Sequence, residues 1–240
     1  MDDMNKIYCE TKRYYNKYSD YYDKERTRGY YEFINDLEID IVNTYIKNDN
    51  KILEVGCGTG IILNRISRVV HSKNIIGIDL SEKMLYEAKK KNLNVIMCNA
   101  NMLPFKNNSF DIVYSFKVIP HIPEIENVIR DIDRVTKKDG LMILEFYNPI
   151  SFKFLANKIS CFFEGWKVYC RYDSLHKIKS YLPNNTKIIH IRGIRIFTFI
   201  SILAKIPIIS HIFRFLEENF CDNLILRNFG GYFVVVIKKC

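Results

Sequence analysis

From Lys51 onward, short apolar runs alternate with segments whose apolar residues recur every three or four positions. Residues 51–55, 74–79, 94–99, 110–116 and 141–147 read as buried strands. Between them, 61–69, 81–91 and 124–136 read as helices. The last carries Ile125, Val128, Ile129, Ile132 and Val135 on one face. Ser81 is placed to cap the helix that it opens, and residues 56–60 read as a tight turn. Strands alternating with helices of this length predict a parallel sheet covered on both sides.

The flanks differ. Tyr14, Tyr18 and Tyr21 or Tyr22 recur at helical spacing, and Ile34, Leu37, Ile41 and Tyr45 share one face of a second helix. After Pro149, helices are predicted over 152–163 and 174–182, the second ended by Pro183, and a strand over 187–192. Ile208, Ile209, Ile212, Phe213, Leu216 and Phe220 form an apolar helical stripe. Gly230 and Gly231 then turn the chain into a last strand, 232–237.

The composition, 48% hydrophobic and 26% charged over 240 residues, is that of a globular chain able to bury a full α/β core. The net charge of +9 is unevenly placed. Residues 1–149 hold 22 Lys and Arg against 22 Asp and Glu, whereas residues 150–240 hold 14 against 5. The basic third suits either a solvated surface or an anionic partner: a phospholipid surface, a phosphorylated substrate or a nucleic acid. Seven cysteines without a CxxC pair argue against a disulfide framework and against a zinc site, so no metal is expected. The acidic start Met1-Asp2-Asp3 lacks the features of a signal peptide, which makes the cytoplasm the expected location. The most apolar stretch, 194–213, is interrupted by Lys205 and Pro207, too soon for the roughly 20 residues of a spanning helix.

The chemically informative run is Glu54-Val55-Gly56-Cys57-Gly58-Thr59-Gly60, a strand entering a glycine turn and then a helix. Ligands of doubly wound sheets lie at such carboxyl ends. The spacing is GxGxG, and Ile61 stands where the dinucleotide fingerprint has its last glycine. A cofactor with an amino acid end in place of a pyrophosphate fits this turn. Glu54 is placed to meet an ammonium group, directly or through water. Asp79, closing the next strand, is placed to accept from two ribose hydroxyls. It can equally act as a helix-capping acid before Ser81.

These residues resemble the class I S-adenosylmethionine-dependent methyltransferases, especially the ubiquinone and menaquinone methyltransferase branch. Glu54 to Gly60 is similar to that family's first motif, Gly77-Ile78-Asp79-Leu80-Ser81 with Met84-Leu85 to its second, and Asn99 to Phe105 followed by Phe110-Asp111-Ile112-Val113 to its third and fourth. Gly140-Leu141 resembles the fifth. The resemblance covers roughly residues 50–148. It implies a Rossmann-like, doubly wound, mostly parallel seven-stranded sheet with an antiparallel last strand, N-terminal helices and a helical cap before the last strand. On this basis residues 1–48 are expected to be a helical lid, 49–149 the cofactor-binding core, and 150–240 the rest of the sheet with a basic, apolar cap. S-adenosylmethionine is the implied cofactor. Its implied binding residues are Glu54, Gly56, Cys57, Gly58, Gly60, Asp79, Leu80, Asn99, Ala100, Ser115 and Phe116. Asn99 departs from the family's usual aspartate, but its carbonyl can still accept from the adenine amino group. The motifs Leu-Glu-Phe-Tyr-Asn-Pro, 144–149, and Phe-Gly-Gly, 229–231, also look like a subset of these enzymes.

Methyl transfer is an in-line displacement whose leaving thioether needs no proton, so alignment and exclusion of water dominate. A base is needed only for a hydroxyl or protonated amine acceptor. His121 is the candidate base, or else a structural hydrogen-bonder at a helix start. Glu145 is either paired or functional, since its burial alone is costly, and Tyr147 follows it on the cleft side. Tyr14, Tyr15 and Tyr18 belong either to a lid over the cofactor or to a helix packed on the sheet. Tyr147-Asn148-Pro149 follows the fifth strand, so it does not reproduce the Asn-Pro-Pro-Tyr type motif that follows the fourth strand of nucleic-acid amino methyltransferases. A small-molecule or lipid-linked acceptor is expected, with apolar side chains flanked by Arg192, Arg195, Lys205 and Arg214 and peripheral contact with an anionic membrane. The alternatives are an RNA or protein methyltransferase, disfavoured by the lack of RNA-binding motifs, and a non-catalytic S-adenosylmethionine binder.

Overall fold

Residues rich in Val, Ile and Phe build seven strands that pair into one sheet, in a computed structural model that describes residues 2–164, 168–198 and 206–240. The strands are β1 (Ile52–Val55), β2 (Ile75–Asp79), β3 (Val95–Met97), β4 (Phe110–Ser115), β5 (Thr136–Tyr147), β6 (Thr186–Ile194) and β7 (Tyr232–Lys239). Their order is β3-β2-β1-β4-β5-β7-β6, and β7 runs antiparallel to both neighbours. The chain winds outward from β1 to β3, then returns to lay β4 on the other side of β1. That reversal creates the crevice between β1 and β4 where doubly wound sheets hold ligands.

Alternation along the strands divides the core. Ile52, Ile112, Tyr114, Ile143, Val234 and Val236 pack with Phe33, Ile34, Leu37, Ile41 and Val42 of helix α2 (Gly29–Asn43) and with α3 (Ile61–Ile66). Leu53, Val55, Val113, Met142, Leu144, Phe233 and Val235 face α5 (Ile125–Val135) instead. The face predicted for α5 is wholly buried. α4 (Glu82–Lys90) is capped by Ser81, whose hydroxyl accepts from the Met84 amide at 3.2 Å, as the sequence predicts.

Three expectations are revised. β5 begins at Thr136, five residues early, because Thr136 pairs with Phe110 before a bulge lets Leu141 meet Ile112. Of the expected 1–48 lid, only α1 (Asp2–Arg26) lies against the cleft; α2 is a core layer of the sheet. In α8 (Pro207–Phe220) the fully buried residue is Glu217, while Ile208 and Ile212 point outward. The reason is polar. Glu217 Oε1 accepts from the amides of Phe197 and Thr198 and from the Thr198 hydroxyl, at 2.9–3.2 Å. The remaining elements are α6 (Phe152–Glu164) and α7 (Leu175–Tyr181), capped by Ser174. Among the described residues no helix is long and apolar enough to cross a membrane.

Ile129 is fully buried on the α5 face. Its truncation to alanine is expected to lower the unfolding free energy by about 2–5 kcal/mol. Ile96→Ala, at an exposed position of edge strand β3, is expected to cost less than about 1 kcal/mol. Urea denaturation of the two variants checks the difference.

Candidate active site

The bend after β1 places Gly56, Gly58 and Gly60 at φ of 78°, 54° and 77°, where side chains are strained. A Cβ on Gly56 would lie 2.1 Å from Val118 Cγ2 and one on Gly60 2.3 Å from Leu93 Cδ1, whereas one on Gly58 would meet open space. The bend is pulled onto β2. The amides of Gly56 and Cys57 donate to the Ile78 carbonyl at 2.7 and 2.8 Å, and the Gly58 amide donates to Asp79 Oδ2 at 2.9 Å. Asp79 Oδ1 accepts from the Ser81 amide at 2.8 Å. Burial raises the Asp79 pKa, and these amides oppose the rise.

Beside this bend lies a cleft enclosing about 820 Å³, open solvent at its mouth included. Gly56, Gly58, Asp79, Leu80, Asn99, Ala100 and Phe116 of the expected cofactor residues line it, as does the candidate base His121. Asn99 Oδ1 accepts from the Asn101 amide at 3.0 Å and so shapes the turn at that end. The other predicted residues stand behind the wall. Ser115 is buried and donates to the Val55 carbonyl at 2.9 Å. The thiol of Cys57 fills the space above Gly77, and Gly60 caps α3. The cross-strand partner of Glu54 is Tyr114, whose hydroxyl donates to Glu54 Oε2 at 2.9 Å. Burial is the main reason that the Glu54 carboxyl is pushed up to about 8, against the lowering effect of that bond.

The far wall is α1, through Tyr8, Thr11, Lys12, Tyr15 and Tyr22. The sequence reading singled out Tyr15 and missed the others, although tyrosines seven apart at 8, 15 and 22 mark one helical face. Three sets of side-chain bonds hold the helix there. Tyr8 donates to Glu124 and accepts from Asn101, both at 2.6 Å. Asn16 Oδ1 accepts from the Ser81 hydroxyl at 2.6 Å. Asp23 takes the Thr59 hydroxyl and the Lys91 ammonium, each at 2.5 Å.

Glu145 is fully buried beneath the cleft, in a network that the sequence did not disclose. Its Oε1 accepts from the Lys117 amide at 3.2 Å. Lys117 has a left-handed φ of 59°, and its ammonium donates to Glu38 Oε2 at 2.8 Å and to Asn35 at 3.0 Å. Glu38 Oε1 and Glu145 Oε2 have no other donor. Held in its protonated form, Glu145 can donate to the Glu38 carboxylate. Burial first, then the charge of Glu38, raises the Glu145 pKa well above the carboxylate range.

On the acceptor side, His121 ends a 3-10 turn, Ile119–His121. Its Nδ1 lies 2.7 Å from the Tyr169 carbonyl. A carbonyl only accepts, so the proton sits on Nδ1 and Nε2 carries the lone pair. That nitrogen is 3.4 Å from the Tyr147 hydroxyl, and the two rings meet edge to face. Burial lowers the His121 pKa, and Lys153 and Arg26 add to the effect against the raising Tyr169 contact. Tyr147 does not line the cleft; it lies against His121, Tyr172 and Tyr232. The basic rim expected of the cap is also corrected. Arg192 is paired with Asp40 and Asp222, Arg214 with Asp36, and Arg195 is buried; Lys205 lies outside the described residues. Among the described residues no cluster of His, Cys, Asp and Glu is arranged to hold a metal ion.

A doubly wound sheet, a glycine bend and an acid closing β2 define a nucleoside-binding protein. Residues 53–144 match the family model of the methyltransferase domain. Uncharacterized protein MJ1252 of Methanocaldococcus jannaschii is 34% identical over 149 residues, 62% of this chain and 56% of that relative. The ubiquinone/menaquinone biosynthesis C-methyltransferase UbiE of Wigglesworthia glossinidia brevipalpis is 29% identical over 204 residues, 80% of this chain and 74% of its own. The chain thus spans little more than half the length of the first relative. An S-adenosylmethionine-dependent methyltransferase structure from Thermotoga maritima shares the fold, with a TM-score of 0.64, 17% identity, and 95% and 99% of the two chains covered. Residues 53–144 thus match a methyltransferase domain, and the chain shares its fold with the Thermotoga maritima structure.

The raised carboxyls make stability depend on pH in a definite direction. Folded Glu54 and Glu145 hold protons that the unfolded chain releases, so stability falls as pH rises from about 4 through about 8. Glu145→Gln, which can still donate to Glu38, is expected to flatten part of this loss. Glu145→Ala is expected to cost about 1–3 kcal/mol at neutral pH, because Glu38 loses its donor. Thermal melts across that pH range separate the two variants.

Proposed function

We propose that this chain transfers the methyl group of S-adenosylmethionine to a small-molecule acceptor that enters beside His121. The observation that carries the reading is the half-buried Asp79 carboxylate, facing a cleft across the bend of Gly56 and Gly58. The residues fit the cofactor. Asp79 uses one lone pair of each oxygen on backbone amides, which leaves acceptor capacity for a ribose diol. Gly58 leaves open the space that a side chain would fill. Asn99 and Ala100 line the end suited to the adenine, and Phe116, Tyr15 and Tyr22 supply aromatic walls. Bound there, the cofactor supplies an electrophilic methyl group on sulfur. Glu54 lies behind the cleft wall two residues before Gly56, and as a carboxylate it suits the cofactor's ammonium group through water.

The chain's own contribution is mainly orientation and dryness, worth up to about 7–11 kcal/mol. α1 closes one side of the cleft with five residues and so limits water. His121, held as the Nδ1–H tautomer by Tyr169, has its Nε2 lone pair turned to the Tyr147 hydroxyl, and it serves as proton acceptor for a hydroxyl or an acidic C–H once the incoming acceptor displaces that contact. Tyr147 orients that ring. Glu145 acts as a positioning residue, because it holds the Lys117 backbone at the cleft wall. The quinone and sterol C-methyltransferases among the relatives support a small acceptor, quinone-like or lipid-linked.

Asp79→Ala is expected to abolish S-adenosylhomocysteine binding in titration calorimetry. In the unaltered chain, binding that ionises Glu54 is expected to release a proton and to tighten as pH rises toward about 8; Glu54→Gln is expected to show neither effect. His121→Ala is expected to leave this affinity unchanged while slowing methyl transfer by about 10²–10⁴-fold. The rate of the unaltered enzyme is expected to fall only below about pH 6.5, since burial keeps His121 neutral to lower pH.

A further inference from the structure

Several enclosed cations of this protein are paired with acids, whereas Arg195 is not. Arg192 is paired with Asp40 and Asp222, Arg171 with Asp173 and Lys117 with Glu38. Arg195, only 9% exposed, has no carboxylate within ion-pair distance among the described residues. One of its terminal nitrogens donates to the Tyr232 hydroxyl at 3.3 Å and the other to the Thr198 carbonyl at 3.4 Å, while its buried Nε has no partner. The guanidinium rests over the rings of Tyr30 and Tyr232, 4.9 and 5.7 Å from their centroids. The nearby acid, Glu217, is engaged by Phe197 and Thr198.

Lys153 shares the Tyr232 ring, and Arg26 lies over Tyr31, which packs on Tyr30. The Lys153 ammonium lies 5.1 Å from the centroid of Tyr232 and 5.6 Å from that of Tyr147. Arg26, at the end of α1, covers Tyr31 at 4.3 Å and also has a buried Nε without a partner. Neither forms an ion pair among the described residues. The Phe-Gly-Gly turn makes the convergence feasible. A Cβ on Gly231 would lie 2.9 Å from Lys153 Cδ and 3.3 Å from Arg195 Cβ. Asn148 fixes that turn by donating to the carbonyls of Asn228 and Gly230, both at 2.8 Å. The two motifs left over from the sequence reading, 144–149 and 229–231, therefore build one structure.

We propose that Arg195, Lys153 and Arg26 bind an oxyanion, a phosphate or carboxylate, carried by the methyl acceptor. The inference rests on the methyl-transfer reading above. Uncompensated buried charge is costly, and an incoming oxyanion accepts from the unpartnered Nε–H groups as well as balancing the charge. The position suits an acceptor. Tyr232 stacks on Tyr147 at 4.8 Å, and Tyr147 touches His121, so the anion lies two ring contacts from the candidate base. Although burial raises it, the Tyr232 phenol is drawn down by Lys153 and Arg195, which marks a positive field that Glu145 offsets only in part.

The test uses the full chain and inorganic phosphate, with phenyl phosphate and phosphatidic acid vesicles as further arms, at matched ionic strength. Phosphate is expected to raise the melting temperature saturably at millimolar concentration. Arg195→Met and Lys153→Met are each expected to weaken that response more than about tenfold, and Gly231→Ala to weaken it in the same sense. In phosphate-free buffer Arg195→Met is expected to melt no lower than the unaltered chain, an outcome opposed to that of a merely structural arginine. If Arg195→Met does not fold, Lys153→Met, at a partly exposed helix start, decides. A stronger response to phenyl phosphate identifies a soluble ester, and one confined to the vesicles identifies a lipid headgroup; either supports the proposal. An equal phosphate response in all variants, or none to any arm, overturns it. S-adenosylhomocysteine titrated in parallel separates the two readings. Its failure to bind counts against methyl transfer, whereas its binding without any phosphate response counts against the oxyanion site alone.

Discussion

The arrangement depends on one constraint: the chain leaving β1 must fold back onto the end of β2 within five residues. Three left-handed φ values accomplish this, and the Asp79 carboxylate fastens the bend by taking the Gly58 amide. Without that bond β2 would end in an unneutralised acid and the glycines would lose their registration against it. With it, acid and open backbone share one cleft, and α3 starts where its first amides face inward. A side chain at Gly56 fails sterically against Val118, not only conformationally, which ties the bend to the segment after β4 as well.

That segment is the second place where strain is held. Lys117 adopts a backbone conformation that β-carbon-bearing residues avoid, and both its ends are secured: the amide by Glu145, the ammonium by Glu38 and Asn35. Three buried ionisable groups from α2, the β4 exit and β5 thereby fix the floor of the cleft. The arrangement balances only when one carboxyl keeps its proton. An acid in the middle of an apolar strand is thus accounted for by a partner thirteen residues before β1, in a helix assigned to another region of the chain by its sequence.

The contrast shows what the sequence displays and what it conceals. The glycine bend, Asp79, the Ser81 cap and the α5 face are local. Each is set by residues a few positions apart, so spacing and side-chain chemistry suffice to locate them. Strand ends were less exact: β5 starts early because its first residue pairs with Phe110, a cross-strand relation that periodicity does not carry. Ser115, Cys57 and Glu54 fell behind the wall because a motif gives a residue's position along a strand, and only the sheet decides which face it takes. Glu217, outside the apolar stripe read in its helix, is buried for the sake of backbone amides about twenty residues away. The heptad of tyrosines in α1 was visible, but its meaning required knowing where that helix lies.

The placement of β7 has a consequence for how the molecule is made. The last strand of this chain lies inside the sheet, between β5 and β6, and supplies the hydrogen bonds of both. Until it emerges from the ribosome, β5 has a bare edge and β6, rich in β-branched residues, has no partner. Pairing of such distant segments is slow. The nascent chain must therefore carry unsatisfied strand edges until β7 is made, and protection from self-association is needed most until that moment.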